Sequence, residues 1–316
     1  MGFVKVSAKG GPLGNWQVQL LILGAIWGHS FLFIKLADAA FSPAQVTLAR
    51  LAIGTAVLVP FLLFRREKLP RSPRAWLLLG VAGILFNVVP YTLFAFAETH
   101  ISSVLAGIWN ATTPLLTLVV ALALLPGERA TRPSVVGLVL GLVGVLLILH
   151  PWQGLGGAQL IGNLACLLAA AFYAVAFVYT RRFLSDLPAS AASLAAVQLL
   201  TGTLFLAVLT PFLGPLPHQF PLPAVLALVG LGALGTGLAY MLNMGIVRAA
   251  GPTAASTVTY VVPVFATVAG LLFLGERVGW WEPIGGAVVL VGLALTQGRL
   301  RWPGRQALPA GERRAA

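Results

Sequence analysis

Few side chains in this sequence can do chemistry, and those that can stand inside or beside long apolar runs. His29 is the one histidine well inside such a run, where imidazole either relays protons, since it titrates near neutral pH, or sits as a neutral, hydrogen-bonded core group. Arg50 lies about two turns inside the next run, where a guanidinium needs an anionic partner. Glu98 and Asp38 stand at the same end of their runs as Arg50, so a structural ion pair of Arg50 with Glu98 is expected, with Lys35 reaching for the polar boundary. Asn87, Tyr91 and Glu98 are spaced by four and seven, close to whole turns of 3.6, and share one helix face. Thr236, Tyr240 and Asn243 repeat that pattern later in the chain. Ala106, Asn110, Thr113 and Thr117 form a second stripe, whose counterparts are Ala255, Thr259, Val262 and Ala266. Polar groups surrounded by hydrocarbon are costly, so such stripes face the protein interior, where they either line a cavity or bond helix to helix.

Aromatic residues complete the set. Trp27 and Phe31 are one turn apart, Tyr173 and Phe177 answer them in the second half, and Trp109 fits the same description; all are either cavity wall or plain core. The expected cavity residues are therefore Trp27, His29, Phe31, Asn87, Tyr91, Trp109, Asn110, Tyr173, Tyr240 and Asn243. Pro114 and Pro263 stand near the middle of their runs, and each removes a backbone hydrogen bond and crowds the preceding turn, so both are expected to kink a helix, as gates or as architecture.

What is absent narrows the chemistry further. Cys166, the single cysteine, excludes an intramolecular disulfide and a cysteine-based metal site. The sequence has no phosphate-cradling Gly-x-x-x-x-Gly-Lys-Ser/Thr, no aspartate-rich metal motif and no Gly-x-Ser-x-Gly elbow. No carboxylate stands near the middle of any run, so an embedded acid of the kind proton pumps use is missing. No catalytic group, metal or cofactor is expected.

The elements that must position these residues are set by composition. Hydrophobic residues make up 59% of 316 positions and charged residues 9%, far below the roughly 25% charged content of water-soluble domains. Apolar runs of about 17–23 residues suffice to cross the hydrocarbon layer as helices and lack the alternation of barrel strands. They predict spans near 17–36, 44–64, 75–96, 102–125, 133–149, 158–180, 190–210, 224–246, 252–274 and 281–298. The formal charge of +12 does not mark a nucleic-acid binder, because the basic residues sit in short loops and the tail, as topology signals do. Of the 20 Lys and Arg, Lys35 and Arg277 fall on the outer side and Arg50 within a span; the rest fall on the side of the N-terminus. That bias predicts a multi-pass protein of the cytoplasmic membrane with both termini cytoplasmic, a segment 1–16 before the first span, and a basic tail, 299–316, lying near anionic lipid. The N-terminal apolar stretch runs past signal-peptide length and is expected to be a retained helix.

The chain also repeats itself. An offset of 149 brings Gly83 onto Gly232, Tyr91 onto Tyr240 and Pro114 onto Pro263, and one gap later Gly127-Glu128-Arg129 falls on Gly275-Glu276-Arg277. Halves of five spans each, 17–150 and 151–298, enter the membrane in opposite senses. The expected fold is all-α, ten transmembrane helices as a 5+5 inverted repeat, an arrangement that puts a solute site near the midplane between the halves.

The runs AIWGHSFLFIK at 25–35, AETHISSVLAGIWNATTPLLT at 97–117 and GERATRPSVVGLVLGLVGVLLI at 127–148 resemble EamA-type members of the drug/metabolite transporter superfamily. The stretch PTAASTVTYVVPVFATVAGLLFLGERVGWWEPIGGAVVLVGLAL at 252–295 resembles the same module again. The resemblance implies a secondary transporter with a central cavity, exporting or importing amino acids, other polar metabolites or toxic compounds, and not an enzyme. The expected substrate is a small amphipathic molecule, amino-acid export leads multidrug efflux, and an intramembrane enzyme or lipid-handling protein is the outlying alternative. His29 departs from the usual small residue in the Trp-Gly-x-x-Phe pattern. The glutamate that small members of the superfamily carry in their first helix has no counterpart at 27–35, so their proton antiport does not carry over. Lipid is the other expected partner, nucleic acid is not, and the sequence leaves the oligomeric state open, a monomer included.

Overall fold

Helix follows helix because the chain offers long stretches of Leu, Ala, Val and Gly with few interrupting polar groups, and in hydrocarbon a helix satisfies its own backbone. The computed structural model describes residues 15–125, 130–149, 157–215 and 217–300. Among these, eight helices are long and apolar enough to cross a membrane: α1 (Trp16–Asp38), α2 (Pro43–Phe64), α3 (Pro73–Glu98), α4 (Ser103–Leu124), α5 (Arg132–Leu149), α6 (Gly157–Phe183), α7 (Ala191–Leu213) and α8 (Leu222–Ala250). Two shorter apolar helices follow, α9 (Val258–Phe273) and α10 (Trp281–Thr296), with one helical turn, Pro252–Ala255, before α9. The expected bounds agree to within a few residues, except that α9 starts late because Ser256 and Thr257 form a turn. Residues 127–129 of the first Gly-Glu-Arg, and nearly all of segment 1–16 and tail 299–316, lie outside the described residues.

Local sequence sets the helix starts. Asn15 accepts from the Gln17 amide at 2.9 Å to open α1. Ser42 and Gln45 form a reciprocal capping box at α2, with Pro43 supplying the first residue that needs no N–H. Ser102 and Ser190 cap α4 and α7 through the Leu105 and Ser193 amides, each at 3.1 Å.

Packing pairs the helices in a pattern that recurs between the halves. α1 lies along α9 and α6 along α4; α2 lies against α8 and α7 against α3; α2 meets α7, and α5 meets α10. The α5–α10 contact is close because glycines face each other. A Cβ built on Gly137 would lie 2.4 Å from the Gly292 carbonyl oxygen, and one on Gly144 would lie 2.7 Å from that of Gly285.

Two helices change their winding at matching places. In α3, Ile84–Val88 is π-helical, the Val89 amide bonding the Ile84 carbonyl five residues back. Pro90 has no N–H to offer the Phe86 carbonyl, and a wider turn is one way to re-register such a ladder. In α8 the π segment is Gly230–Leu238, which contains 233–237, the positions that the 149-residue offset assigns to 84–88.

The prolines behave unequally. α4 breaks at Ala111–Thr112, into Ser103–Asn110 and Thr113–Leu124, and Pro114 sits in the first turn of the second piece. Pro263 instead lies inside the unbroken α9, and the interruption in that half comes earlier, at Ser256–Thr257. The expected matching kinks are thus replaced by one break at Pro114 and one displaced from Pro263. Around Pro263 α9 is held against α1: a Cβ on Gly28 would come 2.9 Å from both the Val262 carbonyl oxygen and the Ala266 amide nitrogen.

Replacing Gly137 by Leu forces α5 off α10, and overpacking of this kind costs about 1–3 kcal/mol. The variant's thermal midpoint in detergent is expected to fall, whereas Val139→Leu, on the exposed face of α5, leaves it unchanged.

Candidate functional site

A cavity of about 710 Å³ lies between the two sets of helices. Its deepest lining is Ile34 on α1, Arg50 on α2 and Phe94 on α3. Its other end reaches Arg181 on α6, Val247 on α8, Ser256, and Gln297 just beyond α10. Arg181, Ser256 and Gln297 are exposed, whereas Ile34, Arg50 and Phe94 are buried. The cavity therefore opens to the face where α1 and α9 begin and α10 ends, and is shut toward the face carrying Asp38, Glu98 and Glu276.

Its walls are aromatic. Phe31 meets Phe94 edge-on at 5.7 Å, Phe94 lies 6.1 Å from Tyr173, and Phe86 packs between Tyr173 and Phe177 at 5.4 and 4.8 Å. Trp27, Tyr91 and Tyr240 add to this surface. Polar groups interrupt it at Ser30 on α1, at Asn110, Thr113 and Thr117 on the broken α4 and at Asn243 on α8, with Ser256, Thr259, Thr296 and Gln297 toward the open end. The Thr113 hydroxyl is buried without a partner.

Arg50 is the one charged side chain in the depth of the cavity, 7% exposed. Its Nε donates to Thr236 Oγ1 at 3.0 Å, and its Cζ lies 3.7 Å from the centre of the Tyr91 ring, a cation–π contact whose value rises away from water. Thr236 belongs to the α8 π segment and Tyr91 follows the α3 one, so the altered windings hold the guanidinium from both sides. The expected ion pair with Glu98 does not form: Thr236 and Tyr91 engage Arg50, and neither Glu98 carboxylate oxygen has a hydrogen-bond partner. Lys35 also departs from expectation, since its Nζ turns inward, donating to the Glu98 carbonyl and, at 2.9 Å, to the Ile101 carbonyl.

Of the ten expected cavity residues, Trp27, Phe31, Tyr91, Asn110, Tyr173, Tyr240 and Asn243 line it, as does Pro114. Three do not. His29 is half-buried on another face of α1, its Nδ1 donating to the Ala25 carbonyl at 2.8 Å and its ring about 6 Å from Phe265 and Phe273, since its neighbour Trp27 takes the inward face. Trp109 is fully buried core, its Nε1 donating to Asn163 Oδ1 on α6 at 2.8 Å. Asn87 stands behind the wall, accepting from the Tyr240 hydroxyl at 3.0 Å. Pro263 is buried away from the lining.

Sequence reasoning missed the work of Glu276. Its carboxylate accepts from the Ser103 amide at 2.8 Å, the Ser103 hydroxyl at 3.0 Å and the Val104 amide at 3.1 Å, capping α4 from the other half of the chain. The recurring Gly-Glu-Arg was the signal, but a repeat marks importance and not a partner. Phe86 and Phe94, also lining, were hidden among 17 phenylalanines.

Among the described residues, no group of three His, Cys, Asp or Glu can hold a metal. The arrangement offers a guanidinium, amides, hydroxyls and aromatic faces.

The model of the EamA-like transporter family matches residues 15–150 and again 160–297. Relatives include the uncharacterized inner membrane transporter YedA of Escherichia coli, 27% identical over 90% of this chain and 92% of its own, and the uncharacterized transporter YdfC of Bacillus subtilis, 27% identical over 87% and 88%. One crystal structure is similar in fold with a TM-score of 0.64 at 23% identity, covering 90% of this chain and 98% of that one.

In a Cys166→Ser background, cysteines placed at Thr117 and Thr296 are expected to react with a water-soluble maleimide. A cysteine at Trp109 reacts roughly tenfold or more slowly, because burial withholds the thiolate. Equal rates at the three positions would refute the cavity's placement.

Proposed function

The chain belongs to the EamA-like transporter family, and from that membership we propose that it is a secondary transporter that exports small amphipathic solutes of the amino-acid kind across the cytoplasmic membrane. The observation carrying this reading is Arg50, a lone cation at the depth of an aromatic cavity and without a carboxylate partner among the described residues. A solute carboxylate supplies the missing counter-charge, aromatic walls take the apolar part, and Asn110, Thr113 and Asn243 hydrogen-bond the polar remainder. A cationic drug meets Arg50 with no Asp or Glu among the described lining residues to offset it, which separates this reading from efflux of such compounds. Membership of a family of transporters supports a transporter over an enzyme in this reading.

The wider architecture in this reading is ten spans, α9 and α10 included, as a 5+5 inverted repeat. The double family match, the matching π segments and the helix pairings that recur between halves support it. Both termini are cytoplasmic on the charge bias, so the cavity faces the cytoplasm, as an exporter awaiting its substrate does. The breaks at Ala111–Thr112 and Ser256–Thr257, with Pro114 beside the first, are the flexible points about which one half rocks against the other.

Liposomes holding the purified protein are expected to show counterflow of labelled amino acids and not of amphipathic cations. Charge-assisted hydrogen bonds are worth about 1.5–3 kcal/mol, so Arg50→Gln should weaken amino-acid exchange by roughly 10–100-fold, with Arg50→Lys between it and wild type. Counterflow of cations alone, or unimpaired exchange by Arg50→Gln, would sink the assignment. For orientation, a cytoplasmic reporter fused after Gly298 is expected to be active and a periplasmic phosphatase at that point inactive; the reverse pattern would invert the proposed direction.

A further inference from the structure

Behind the shut end of the cavity lie two carboxylates that the transport reading leaves unused. Asp38 stands one turn beyond Ile34 on α1, and Glu98 one turn beyond Phe94 on α3, Ile34 and Phe94 being the deepest lining residues on those helices. Glu98 is fully buried. All four carboxylate oxygens are shielded and without a hydrogen-bond donor.

The surroundings can be counted. Asp38 and Lys35 from α1, Glu276 from the segment after α9, and Arg50 from α2 all act electrostatically on Glu98, and Cys166 on α6 faces it with an uncharged thiol. Glu276 is matched by the α4 N-terminus and Ser103, and Arg50 is engaged by Thr236 and Tyr91. Lys35 acts on both Asp38 and Glu98, whereas Arg50 keeps its charge but donates to neither carboxylate. A second bare carboxylate in a sealed apolar site is far costlier than a neutral one. A metal cation fits poorly: the carbonyls of Glu98 and Ile101, its natural oxygen ligands, already hold the Lys35 ammonium, and no third acid completes a set among the described residues.

We propose that Glu98 and Asp38 share a proton-binding site that is filled when this end of the cavity is shut and emptied when it opens. Closing takes one proton from the medium on that face, and opening exposes the pair to water and returns the proton to the same side. The pair thus makes the gate pH-sensitive without net proton transport. Acid on that face favours the form whose cavity opens to the opposite face. The inference uses the transporter reading only in requiring that the shut end can open.

The test places spin labels at Phe220→Cys and Trp280→Cys, both exposed near the shut face, in a Cys166→Ser background, and measures their separation between pH 5 and 8 in lipid. A single proton taken up on closing shifts the open-to-closed ratio by up to about tenfold per pH unit, so longer distances should grow as pH rises. Glu98→Gln with Asp38→Asn removes both proton-binding carboxylates and should leave the distance distribution the same at every pH. Glu98→Gln alone, checked for a monodisperse fold, should remove most of the response. Distances independent of pH in the unsubstituted pair, or the same titration in the double variant, would overturn the site, as would a response that follows sodium and not pH. Amino-acid counterflow without any pH response rejects this site and leaves the transport reading standing; a pH response without counterflow does the reverse.

Discussion

A guanidinium inside an apolar bundle is the constraint around which the rest of the molecule is arranged. Arg50 can occupy that position only because Thr236 accepts its Nε–H and the Tyr91 ring takes its face, and neither contact comes from its own helix. Both require backbone placed at a phase that a regular α-helix does not supply, and both follow from the π segments of α3 and α8. One extra residue per turn rotates everything after it relative to the helix before it. Had α3 stayed regular through Ile84–Val88, the face bearing Tyr91 would not meet Arg50 at the same angle. The winding change and the buried cation are thus coupled features of one design.

The same coupling joins the halves. Tyr240 donates to Asn87, Arg50 to Thr236 and Trp109 to Asn163, while Glu276 caps α4; each bond crosses from one family match to the other. Apolar packing in lipid gives little preference for one helix pairing over another, since the tails are as apolar as leucine. Directional bonds and glycine-enabled approaches such as Gly137 on Gly292 therefore carry the specificity of assembly. A polar group in such a bundle is selective because its alternative is no partner at all.

Much of this was legible in the sequence. Hydropathy located the helices because the bilayer demands long apolar runs, and seven of the ten residues expected from helical phase line the cavity because only one side of a span can face a polar interior. Phase failed for His29, Trp109 and Asn87 for a geometric reason: the inward sector of a helix narrows where a neighbour packs closely, so a residue one position off the stripe falls behind the wall or into the core. The Arg50–Glu98 pair failed because a sequence shows which charges share an end of the bundle but not which neutral groups compete for them. The π segments were invisible to a fixed period of 3.6, although Pro90 and the clustered glycines of 230–237 marked where the period is easiest to change.

The unequal breaks of α4 and α9 bear on how such a bundle moves. One family model matches both halves, yet they break at different registers: Ala111–Thr112 corresponds to 260–261 by the repeat offset, where α9 is continuous, and the interruption comes about one turn earlier. Packing supplies the reason. From its first residue to its middle, Val258 to Ala266, α9 lies close along α1 through Gly24 and Gly28, while α4 is broken and turns Asn110 and Thr113 to the cavity.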